Sequence, residues 1–146
     1  MSEMAKVLII EDDQDAASAM KATLESQNCS ISLADDPETG FQKAMQEKPD
    51  LIVLDVMFGD AGTTKGFDFA VKFKQEKELA KIPILMVTAI NLRKEQFKFS
   101  PETDGEYLPV DDFIDKPAQP EDLIRKAKAL LEQKVSKWAN WPHQKA

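Results

Sequence analysis

An α/β fold, with a parallel sheet covered on both faces by helices, is what this sequence predicts. Three observations carry the prediction. Short continuous apolar runs recur along the chain: Lys6–Ile10 (KVLII), Leu51–Leu54 (LIVL) and Pro83–Val87 (PILMV). Runs of that length suit strands buried on both faces, where no alternation with polar residues is needed. Between the runs, apolar residues return at helical spacing, so strands and helices alternate. Each run also stops abruptly at a polar residue, at Glu11, Asp55 and Thr88 respectively.

Taken in order, the first run ends in the acidic cluster Glu11, Asp12 and Asp13. From Gln14 to Gln27, the spacing of Ala16, Met20 and Leu24 marks a first helix. Cys29–Ala34 (CSISLA) alternates as a strand does. Asp36-Pro37 opens a second helix, because Asp caps free amides and Pro is tolerated in the first turn. Its apolar stripe is Phe41, Ala44 and Met45. After Asp55 a loop rich in Gly and Thr runs from Met57 to Gly66, and Phe67, Ala70, Val71 and Lys74 then mark a third helix. Between Asn91 and Val110 a short helix is expected around Leu92–Phe99, but Pro101, Gly105 and Pro109 break any long one. The fourth helix is therefore short or irregular. Asp112–Ile114 is a brief last strand ending before Lys116-Pro117. The final helix starts near Pro120, with Leu123, Ile124, Ala127, Leu130, Leu131, Val135 and Trp138 on one face.

A chain of 146 residues reads as a single domain, with a core over about 5–131 and a helix extension and tail over 132–146. That length buries a core without disulfides or a structural metal. The 26 acidic and 19 basic residues leave a net charge of −7, the wrong sign for direct binding to nucleic acid. The single cysteine, Cys29, allows no intrachain disulfide and suits a reducing compartment. No basic segment precedes a long apolar run, and no stretch approaches the length of a membrane span. A cytoplasmic protein with no membrane insertion is the expectation.

In an open parallel α/β sheet, ligands bind beyond the carboxyl ends of the strands. The residues there are Glu11, Asp12, Asp13, Asp55, Thr88 and Lys116. Gathered at one rim, the carboxylates repel and need a countercharge. A hard divalent cation with oxygen ligands supplies it, and Mg2+ is the usual choice beside phosphates. Taken singly these residues say less. Asp13 and Asp15 read more readily as caps of a helix or turn, and a lone Thr or Lys after a strand is mostly solvent-facing. The joint pattern of complementary groups at four strand ends is what points to a site.

The segments KVLIIEDD, PDLIVLDVM, IPILMVTA and FIDKP resemble the four signature blocks of response-regulator receivers, over about Ala5 to Leu131. The resemblance implies a flavodoxin-like (βα)5 doubly wound sheet of strand order 2-1-3-4-5. It implies a stand-alone receiver, a phosphorylation switch of a two-component or phosphorelay system and not an enzyme turning over a separate substrate. In that reading Asp55 is the phosphoacceptor. Asp12, Asp55 and the Met57 backbone carbonyl ligate Mg2+ or Mn2+, and Glu11 acts on the metal through water. Thr88 bonds a phosphoryl oxygen, Lys116 pairs with the phosphoryl group, and Phe113 is the switch aromatic, with a plain strand-core phenylalanine as the less favoured alternative. The phosphate would come from a sensor histidine kinase or histidine phosphotransfer protein, and the output would go to a downstream protein target. The chemistry agrees. An Asp carboxylate is a competent nucleophile, and phosphoryl transfer is dominated by positioning and charge stabilisation. A cis peptide at Lys116-Pro117 would aim the ammonium inward, and Thr88 can swing to meet the added charge.

The chain also departs from the receiver pattern. The loop from Asp55 to Gly66 is a few residues longer than usual, and FGDAGTTKG replaces the common early Pro. Thr63, Thr64 and Lys65 are either within reach of the phosphoryl group or part of a solvated loop. The stretch between Thr88 and Phe113 is long as well, so the family's dimer face is not carried over and the oligomeric state stays open. Trp138 extends the last helix's stripe, and Trp141 is a candidate partner anchor. His143 is the only histidine, so a phosphodonor histidine comes from a partner. Met57 and Ile90 lie two residues after the phosphoacceptor and the switch Thr. In receivers these two positions flank the path of the hydrolytic water, so the resemblance implies that two apolar side chains, unable to orient that water, give slow self-dephosphorylation. Two other classes compete. A phosphate-independent scaffold has no need of the set Glu11, Asp12, Asp55, Thr88 and Lys116. A haloacid-dehalogenase-type phosphohydrolase wants a second Asp where Met57 stands.

Overall fold

A computed structural model describes residues 4–55, 65–88 and 110–133 of the chain. The expected fourth helix, most of the loop after Asp55, and the tail with Val135, Trp138, Trp141 and His143 lie outside those residues. Within them the elements run β1 (Ala5–Ile10), α1 (Gln14–Glu25), β2 (Cys29–Ala34), α2 (Pro37–Glu47), β3 (Leu51–Asp55), α3 (Lys65–Gln75), β4 (Ile84–Thr88), β5 (Asp112–Asp115) and α4 (Pro120–Gln133). All strand pairs are parallel, in the order β2-β1-β3-β4-β5, as the resemblance implied.

The unbroken apolar runs are explained by burial on both faces. On one face Leu8, Ile10, Ile52, Leu54, Ile84 and Met86 meet Ala44 of α2 and Ala70 and Phe73 of α3. On the other, Val7, Ile9, Val53, Leu85 and Val87 meet Met20 and Leu24 of α1 and Leu123, Ala127 and Leu130 of α4. Successive strand residues alternate between these two cores, so neither face can be polar.

The helix starts follow local chemistry. Asp13 caps α1, accepting the amides of Asp15 at 2.9 Å and Ala16 at 3.2 Å. Asp36 caps α2 through the Thr39 amide at 2.8 Å, with Pro37 in the first turn. The buried stripe of α1 is Ala17, Met20 and Leu24, one residue on from the expected Ala16. In α2 the close approach is made by Gly40. A Cβ there would sit 2.5 Å from Cδ1 and 2.7 Å from Cγ1 of Ile10, so only glycine lets α2 lie this close to the end of β1.

Lys74 is the least expected core residue. It is fully buried, and its ammonium donates to the Ile82 carbonyl at 2.7 Å and the Ala80 carbonyl at 3.5 Å. It also pairs with Asp111 at 3.3 Å, and that same Asp111 oxygen accepts the Ile84 amide at 2.8 Å. This cluster ties the end of α3, the turn into β4 and the entry to β5, at the opposite end of the sheet from Glu11 and Asp55.

Candidate functional site

The parallel register brings the carboxyl ends of the central strands side by side. Ile10 lies beside Leu54, and Asp55 lies beside Val87. Glu11 follows β1, Asp55 ends β3, the Thr88 backbone ends β4 opposite Asp115, and Lys116 follows β5. The fold thus gathers at one rim four of the residues that sequence placed there.

Two of the three buried charged residues among those described are in this site: Glu11, 2% exposed, and Asp55, 1% exposed. Burying a charge is costly unless it is paired. Lys116 provides the pairing. Its ammonium lies 2.5 Å from Asp55 Oδ2 and 3.9 Å from Glu11 Oε1. The Lys116-Pro117 peptide is cis. Glu11 Oε2 accepts the Asp13 amide at 3.0 Å, and the Glu11 amide donates to the Ala34 carbonyl at 2.9 Å, which fixes the backbone at the end of β1.

Among the described residues, Asp55 and Glu11 share the Lys116 ammonium. The Glu11 carboxyl responds by holding its proton, pushed up from the usual 4.5 to about 8. Burial is the main cause and the neighbouring Asp55 adds to it, while the Asp13 amide and Lys116 pull the other way.

Asp12 behaves differently from its neighbour. Its side chain is exposed, and among the described residues no three acidic, cysteine or histidine groups close into a preformed metal cage. The donor set still suits a hard cation. It is all oxygen, it is acidic, and Glu11 Oε1 is buried with no hydrogen-bond partner among the described residues. Asp13, a rim candidate by sequence, is committed to capping α1. The Thr88 hydroxyl, Met57 and Ile90 lie outside the described residues.

Phe113 is partly buried against the core under α2 and α3. Sequence reasoning gave no role to the residue that covers it. Lys126 of α4 places its ammonium 5.2 Å from the Phe113 ring centroid. No sequence signal marks it, since a lysine on the flank of an amphipathic helix is ordinary.

A match to the response regulator receiver domain spans residues 7–128. The chain belongs to the receiver domain family. The alkaline phosphatase synthesis transcriptional regulatory protein PhoP of Bacillus subtilis is 33% identical over 126 residues, covering 86% of this chain and 48% of PhoP. The DNA-binding dual master transcriptional regulator RpaA of Synechocystis is 30% identical over 128 residues, covering 88% of this chain and 49% of RpaA. The chain spans about half the length of these curated relatives. Among solved structures, a two-component response regulator from Clostridium difficile superposes with a TM-score of 0.72 at 29% identity, covering 89% of this chain and 98% of that one. The chemotaxis response regulator CheY4 of Vibrio cholerae shares the fold, with a TM-score of 0.71 at 24% identity over 87% of this chain and 98% of its own. No helix among the described residues is long and apolar enough to cross a membrane.

Proposed function

We propose that this receiver domain is switched by phosphorylation of Asp55, with the phosphoryl group drawn from a histidine of a sensor kinase or phosphotransfer protein. The observation that carries the proposal is the buried Asp55 carboxylate ion-paired with Lys116 at the carboxyl rim of the sheet. A buried pair of this kind is a poor way to gain stability, and a scaffold does not need it.

In the transfer, an Asp55 carboxylate oxygen attacks phosphorus. The bond to the donor histidine nitrogen breaks, and its electron pair leaves with the imidazole. Lys116 starts on the carboxylate and is placed to follow the charge onto a phosphoryl oxygen. Thr88, at the end of β4, would bond a second phosphoryl oxygen, and Phe113 would read the change as the switch aromatic. Asp12, Asp55 and the Met57 carbonyl would hold Mg2+ or Mn2+, with Glu11 acting through water. The cation supplies neutralising charge to the phosphoryl oxygens. The output is a protein target in the cytoplasm. The net charge of −7 speaks against direct contact with nucleic acid by this domain.

Acetyl phosphate with Mg2+, followed by intact-mass spectrometry, tests the proposal. One phosphate should appear on the wild type and none on Asp55→Asn, with the fold retained by circular dichroism. Unchanged incorporation in Asp55→Asn would place the acceptor elsewhere, with Asp60 the first alternative now that Asp13 is a helix cap. Turnover of many phosphate esters would favour a hydrolase instead.

A further inference from the structure

We infer that Lys126 is a positioning residue for Phe113, a clamp that sets how readily the ring leaves its resting place when Asp55 is phosphorylated. The inference rests on the phosphorylation reading above. α4 packs on the face shared with α1, through Leu123, Ala127 and Leu130. The Phe113 ring packs on the opposite face. Lys126 therefore reaches from α4 round β5, the edge strand of the sheet, to a ring on the other side.

Three contacts fix it there. Its ammonium stands 5.2 Å from the ring centroid, donates to the Phe113 carbonyl at 2.8 Å and pairs with Asp112 Oδ1 at 3.2 Å. That Asp112 oxygen also accepts the Phe113 amide at 2.8 Å. A flank lysine would otherwise extend into water, where its side chain keeps rotamer freedom. Here the Lys126 side chain is 23% exposed, so its attraction to the ring is only partly screened.

Phe113 sits three residues before Lys116, which holds Asp55, so one short strand carries both groups. If the ring moves, the ring–ammonium contact is lost, while the contacts to the Asp112 carboxylate and the backbone can stay. Lys126 thus favours the resting state alone. By linkage, whatever favours the resting ring opposes phosphoryl binding by the same factor.

The test is a titration with trifluoroberyllate and Mg2+, a stable stand-in for the phosphoryl group, followed through the backbone amide NMR signals of β5, which every variant keeps. Lys126→Met keeps the stem and removes the charge. It should bind the stand-in about two- to fivefold more tightly, the factor for one partly exposed cation–π contact. Lys126→Arg, which also stacks on rings, should stay near wild type. In a Phe113→Leu background, Lys126→Met should change nothing, a result that a merely structural role for Lys126 would not give. Unchanged or weaker binding by Lys126→Met overturns the inference, as does a gain that persists in Phe113→Leu. Should Lys126→Met fail to fold, Lys126→Gln carries the same comparison. Failure of the phosphorylation reading looks different: the wild type would then take up neither trifluoroberyllate nor phosphate.

Discussion

Replacing Glu11 with Gln should flatten the pH dependence of stability between pH 4.5 and about 8. In the folded chain the buried Glu11 carboxyl keeps its proton up to about 8, and in the unfolded chain it loses it near 4.5. Between those values the folded state binds one more proton than the unfolded state. Stability therefore falls as pH rises, by roughly 1.4 kcal/mol per pH unit contributed by this group. The contribution is complete below 4.5 and is lost as pH rises through about 8. The assay is urea denaturation in the presence of a chelator at about pH 5, 6, 7 and 8, for wild type and Glu11→Gln, with the difference isolating Glu11. Added Mg2+ should reduce the wild-type slope, because a cation bound beside Glu11 displaces the proton, and cation affinity should itself climb toward pH 8. An equal slope in Glu11→Gln refutes the reasoning, as does a wild-type stability that rises with pH relative to the variant.

Four further outcomes are expected. Lys74→Met should cost about 3–5 kcal/mol by leaving the Asp111 carboxylate buried beside an apolar chain, and Lys74→Met with Asp111→Asn should cost less than Lys74→Met alone; urea midpoints read both. Gly40→Ala should cost about 1–3 kcal/mol through its clash with Ile10, and Ile10→Val should return part of that loss in the double variant, as thermal unfolding would show. Asp12→Ala should weaken Mg2+ binding measured by calorimetry, and an unchanged affinity removes Asp12 from the ligand set. Once phosphorylated and freed of donor, the wild type should lose phosphate more slowly than the double variant Met57→Asn with Ile90→Glu, because those polar groups can orient a water that the native side chains cannot.

The sheet and the polar residues at its carboxyl rim were legible because both depend on local sequence. A strand buried on two faces must be apolar throughout, so KVLII, LIVL and PILMV stood out, and the polar residue that ends each run falls at the rim. The Asp13 and Asp36 caps and the inward reach of Lys116 follow from neighbours in sequence. Features set by distant partners were not legible. Lys74 sits at a position its helix buries, but its burial depends on carbonyls in the next turn and on Asp111, 37 residues away. The phase of α1 could not be read between adjacent alanines, and the structure buries Ala17 where Ala16 was expected. Glu11 and Asp12 looked equivalent as consecutive acids. Yet side chains leaving a strand point to opposite sides, so one is buried and the other faces water.

The two buried charge clusters lie at opposite ends of the sheet and hold their charges differently. At the entry to β5, one lysine meets one aspartate, and backbone groups take up further bonding capacity: Lys74 donates to two carbonyls and Asp111 accepts the Ile84 amide. Removing either charge from that buried pair costs energy. At the exit of β5, Lys116 reaches both Asp55 and Glu11, and the buried Glu11 carboxyl holds a proton up to about 8. Such a cluster can be completed in more than one way, by a proton, by a cation, or by a movement of the Lys116 ammonium. β5 is only four residues long and lies between these ends, with Lys126 holding Phe113 at its middle. On the proposed reading, a change of charge at Asp55 would reach β5 through Lys116, which pairs with Asp55, while Lys74 and Asp111 hold the strand's other end. If Asp55 is phosphorylated, the contact between the Lys126 ammonium, on a side chain 23% exposed, and the Phe113 ring is where the inferred clamp would give way.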